Sequence, residues 1–96
     1  MSNIGSAVAW ANRRIERIGL SDTFSIVYQP LWFDDPHGPL AARDARGAVL
    51  LDAEGNILDI EEDPDPYKAC FFLYLRLEDR IFEFIRLQKS QIVFRF

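Results

Sequence analysis

The 96-residue chain contains one cysteine and one histidine. A lone thiol cannot close an intrachain disulfide, and one cysteine with one histidine cannot supply the repeated Cys/His spacing of a structural zinc site. Cys70 therefore reads as a reduced, buried residue of a cytoplasmic protein. Long apolar runs are missing as well. The longest uninterrupted stretch covers residues 69–75, whereas a membrane span needs roughly 20 residues, so no membrane association is expected. No Lys or Arg precedes Arg13, so a secretory signal is not expected either. An excess of basic residues is also absent: 11 Lys and Arg face 15 Asp and Glu, for a net charge of −4. That balance argues against direct nucleic-acid binding.

Signatures of catalysis and of metal binding are equally scarce. His37 shares the segment Asp34-Asp35-Pro36-His37 with two carboxylates, but Pro36 restrains the loop from wrapping an ion. No Ser, Cys or Lys stands in a nucleophile-activating pattern around it. The expectation is a non-enzyme with no cofactor and no metal.

The chain does have enough apolar material to fold. Hydrophobic residues make up 49%, aromatics 14% and charged residues 27%, which suits a single globular domain over residues 1–96. Its charge is polarised along the sequence. Arg13, Arg14 and Arg17 against Glu16 give residues 1–20 a balance of +2. Residues 34–66 carry ten acids against Arg43 and Arg46, a balance of −8, and residues 67–96 return to +3.

Ile4, Val8, Ala11, Ile15 and Ile18 recur at helical spacing and predict an amphipathic helix over about residues 3–19, stopped by Gly19. Trp10 lies on the flank of that stripe. Residues 23–33, rich in β-branched and aromatic side chains, predict a strand that Pro30 ends or confines to an edge. A long loop is expected over residues 34–46. Residues 48–52 and 57–60 predict a hairpin turning at Gly55, followed by a stiff connector at Asp63-Pro64-Asp65-Pro66. The alternation of residues 69–96 predicts a three-stranded β-meander with both faces apolar. No internal repeat is read from the chain. The predicted fold is α+β, with the N-terminal helix on a mainly antiparallel sheet of five or six strands, or a half-barrel.

Two surfaces follow from this reading. Trp32 and Phe33 place anchors beside Asp34 and Asp35, and Asp59, Glu61, Glu62, Asp63 and Asp65 continue the acidity into the proline connector. Bulky aromatics next to oriented charge suit an interface. The expected function is a small acidic protein-binding module of the inhibitor, immunity or phage anti-defence (anti-CRISPR-like) type, with a basic surface of a larger protein as partner. The alternative is a homodimer or assembly subunit that self-associates through Phe72, Tyr74, Phe82 and Phe84 of the meander.

Overall fold

The computed structural model describes residues 3–29, 38–60 and 65–93. Helix α1 spans Ile4–Arg17, followed by strands β1 (Phe24–Tyr28), β2 (Leu40–Asp44) and β3 (Asp59–Ile60), and helix α2 spans Pro66–Val93. The fold is α+β, but its sheet has three strands in the order β1-β2-β3, all antiparallel. The expected five- or six-stranded sheet or half-barrel is therefore incorrect.

The largest correction is the last third of the chain, which forms one 28-residue helix in place of three strands. Residues 67–93 contain neither Gly nor Pro, so nothing in them enforces the turns a meander requires. Pro66 is the first helical residue, where its missing N–H costs nothing. Asp65 stands just before it, and its Oδ1 accepts the N–H groups of Tyr67 and Lys68 at 3.1 and 3.2 Å. Asp65 and Pro66, expected within a stiff connector, thus start a capped helix; Asp63 and Pro64 lie outside the described residues. Ala69, Cys70, Leu73, Tyr74, Leu77 and Ile81 form the buried face of α2 at steps of one, three and four residues.

The second correction lies between residues 40 and 60. Part of the expected long loop is strand β2, the middle strand of the sheet. Two successive turns of the same design follow it, Asp44-Ala45-Arg46-Gly47 and Asp52-Ala53-Glu54-Gly55. In each, the aspartate Oδ1 accepts N–H groups two and four residues ahead, from Arg46 and Ala48 and from Glu54 and Asn56. In each the glycine takes positive φ, 83° at Gly47 and 84° at Gly55, a conformation that costs other residues strain. The chain therefore does hold an internal repeat, with a period of eight residues. Its buried members Ala42, Leu50 and Leu58 close a ring of backbone hydrogen bonds: Leu50 N–H to Ala42 O, Ala42 N–H to Leu58 O and Leu58 N–H to Leu50 O, at 2.8–2.9 Å. The predicted hairpin is present as part of this ring, with a bridge between Leu51 and Ile57.

Helix α1 ends near Gly19, whose φ is 77° and whose N–H reaches the carbonyl of Glu16. It buries Ala7, Ala11 and Ile15. Asn12 fastens α1 to the free edge of β1, donating to Ile26 O and accepting Ile26 N–H, both at 2.8 Å. That clamp satisfies backbone groups that the edge strand would otherwise present to another chain. Among the described residues the buried set is wholly apolar, and Ile15, Ile26, Leu58, Leu73 and Leu77 are fully enclosed. Each such side chain contributes about 1.5–3 kcal/mol by leaving water.

Candidate functional site

The residues expected to form the acidic recognition surface divide into two sets. Trp32, Phe33, Asp34, Asp35, Glu61, Glu62 and Asp63 lie outside the described residues, as does His37. Asp59 and Asp65 are described, and both have structural work. Asp65 caps α2, and Asp59 Oδ2 accepts the N–H of Gly38 at 2.6 Å. The four residues assigned to a self-association face are also separated by the helix. Tyr74 is buried, and Phe84 packs inward against Phe24 with ring centroids 5.5 Å apart. Phe72 and Phe82 instead face outward, 47% and 65% exposed. A strand puts alternate residues on one face, whereas a helix divides them by 100° steps.

Two surface features stand out in their place. The first is an open groove of about 720 Å³ between the second repeat turn and α2. Its charged walls are Asp52, Glu54, Asp79 and Glu83 with Arg76 and Arg80. Arg76 is turned into the fold, donating to the carbonyls of Asp59 at 2.8 Å and Ile57 at 3.0 Å and pairing with Asp52 at 3.5 Å. The Asn56 N–H, followed by the Glu54 N–H and Arg76, holds the Asp52 carboxyl below the usual aspartate range, against the opposing effect of desolvation. Arg86, by hydrogen bond and charge, does the same to Glu83, with a contact of 2.5 Å. Asp52 and Glu83 are thus ionised at neutral pH.

The second feature is an aromatic surface along α1 and the outer side of α2. Trp10 meets Phe71 with centroids 6.3 Å apart, and Phe71 meets Phe72 at 6.1 Å. Arg14 lies over Trp10 at 5.3 Å and over Tyr74 at 5.5 Å, and Lys68 lies over Phe72 at 5.9 Å. Trp10, on the flank of the α1 stripe, is packed against the core while partly exposed.

Cys70 is fully enclosed, and burial pushes its thiol up to about 11. A thiol protonated at neutral pH is a poor nucleophile. No group of three or more potential metal ligands occurs among the described residues, and no described helix is long and apolar enough to cross a membrane.

The groove was missed in the sequence because its acids come from two places, Asp52 and Glu54 of the turn and Asp79 and Glu83 of a segment taken for strands. The signal that could have found it is the repeated Asp-Ala-x-Gly, which fixes the turn, together with the unbroken run that makes 67–93 helical. Compared with family models, with curated proteins and with solved structures, the chain matches none of them.

Proposed function

We propose that the chain is a non-catalytic protein-binding module that takes a basic surface of a larger partner on its acidic side. The observation that carries this reading is the groove between the second repeat turn and α2, where four carboxylates face two guanidinium groups and Arg76 is committed to backbone carbonyls and Asp52. Its remaining negative charge is held on rigid elements, a turn locked by Asp52 and a capped helix, so little conformational entropy is lost when a partner docks. Asp34, Asp35, Glu61, Glu62 and Asp63 add to the negative charge of the chain's middle third, which favours encounter with a cationic surface. Trp32 and Phe33 are the aromatic anchors of this reading. Occupying such a surface masks it, which is how a small module of this kind inhibits a larger protein.

The test is a pull-down followed by titration calorimetry over a range of salt concentrations. Wild type is compared with Glu54→Lys/Asp79→Lys and with a variant carrying Asn or Gln at Asp34, Asp35, Glu61, Glu62 and Asp63. The expected result is one heterologous protein retained by the wild type and lost by the charge variants, with affinity falling as salt rises. Equal retention by all three, or affinity indifferent to salt, overturns the reading.

A further inference from the structure

The flank that α1 shares with the first turns of α2 holds charge that the fold does not neutralise. Trp10, Arg13, Arg14 and Arg17 lie within about 100° of the α1 circumference, and Glu16, the one acid of that helix, falls outside this arc. Arg14 is held between the Trp10 and Tyr74 rings, and Lys68 lies over the ring of Phe72. Among the described residues none of Arg13, Arg14, Arg17 and Lys68 pairs with a carboxylate, whereas Arg76 and Arg86 further along α2 both do. Exposed, uncompensated positive charge thus gathers on one face of a chain whose net charge is −4. Beside it on α2 run Phe71, Phe72 and Leu75, each between 42% and 47% exposed.

We propose that this face docks an acidic amphipathic helix of a partner protein, its carboxylates on Arg13, Arg14, Arg17 and Lys68 and its apolar side chains on Phe71, Phe72 and Leu75. Charge complementarity selects an anionic occupant, because cations without internal partners gain most from an opposite charge brought to them. The layout selects a helix. Trp10 meets Phe71 and Arg14 meets Tyr74, so the arginine row of α1 lies alongside the apolar row of α2. An occupant must therefore carry apolar side chains along one line and carboxylates along the line beside it, as an acidic amphipathic helix does. The two stacking contacts hold the Arg14 guanidinium in place before a partner arrives, which reduces the entropy lost on docking.

Other anions fit less well. A nucleic-acid strand is charged at every residue and offers no aliphatic row to Leu75, and Asp65 before Lys68 and Glu78 two turns beyond Phe71 oppose its passage at both ends. An anionic bilayer would meet the whole outer side of α2 at once, Glu78 and Asp79 included. The face shares no residue with the acidic groove. It therefore takes a partner of opposite charge to the one proposed there, in keeping with the polarised charge of the sequence.

Fluorescence anisotropy tests the proposal on the full chain, titrated up to about 500 μM. The probe is a labelled synthetic peptide of about 18 residues, with leucine at every third or fourth position and glutamate beside the leucines. The controls are the same peptide with lysine for glutamate, an oligothymidine, and phosphatidylserine-containing vesicles. The expected result is binding of the acidic peptide with a dissociation constant in the range of roughly tens of micromolar, weakening as salt rises. Arg13→Glu/Arg17→Glu and, separately, Phe72→Ser should each raise that constant at least about fivefold with circular dichroism unchanged, and Glu54→Lys should leave it as it was. An acidic peptide that does not bind, binds no better than its lysine counterpart, or is indifferent to both surface variants overturns the proposal, as does tighter binding of the oligothymidine or of the vesicles.

Discussion

The two sides of α2 are built from similar amino acids and answer to different constraints. On the inner side Ala69, Cys70, Leu73, Leu77 and Ile81 are buried against α1 and the sheet, with exposures from 0% to 5%. On the outer side Phe71, Phe72, Leu75 and Phe82 retain between two-fifths and two-thirds of their surface. Composition cannot tell these sets apart. Their difference lies in phase: a residue enters the core when its position along the 3.6-residue period faces α1, and otherwise remains open whatever its hydrophobicity. The inner side should therefore govern folding, and the outer side should tolerate substitution.

That contrast predicts graded effects. Leu73→Ala, which empties a fully enclosed site, should cost about 2–5 kcal/mol in denaturant unfolding. A loss below about 0.5 kcal/mol, typical of a surface position, would break the comparison. Asp65→Ala acts on the helix start and so on both sides alike. It should cost about 0.5–2 kcal/mol, read as earlier thermal unfolding.

Acid should act through Asp52, which ties Arg76 of α2 to the repeat turn. Its folded pKa lies below the ordinary value. The stabilisation it provides is thus fully present above about pH 4 and lost as pH falls through the lower folded value. Asp52→Asn should flatten the acid limb of the stability profile; an identical profile would show that the Asp52 contacts do not contribute. Smallest of all is the effect of Phe82→Asp on stability, expected within about 0.5 kcal/mol and measured by urea unfolding.

Helix α1 was legible because its apolar residues fall on a single stripe and Gly19 closes it, so only one period fits. Residues 69–77 are apolar at every position except Arg76, and such a run satisfies a two-residue and a 3.6-residue period equally well. What separates the two periods is Pro66 after Asp65 and the absence of Gly and Pro from residues 67–93. Those features identify a capped start and an unbroken helix. The repeat turns were half legible. Gly55 marked its own turn, but Asp44 fell within the expected loop over residues 34–46, because the match between the two turns lies in hydrogen bonding by Asp44 and Asp52 and not in apolar periodicity. The groove depended on both misread segments, so the sequence placed the protein's acidity without placing this surface.

The most direct test of the two-sided helix is thiol alkylation of Leu75→Cys, followed by mass spectrometry. Cys70 on the inner side, enclosed and with its thiol pushed up to about 11, should react only on unfolding. The thiol at position 75 should react freely in the folded protein. Equal rates at the two positions would contradict the assignment of inner and outer sides.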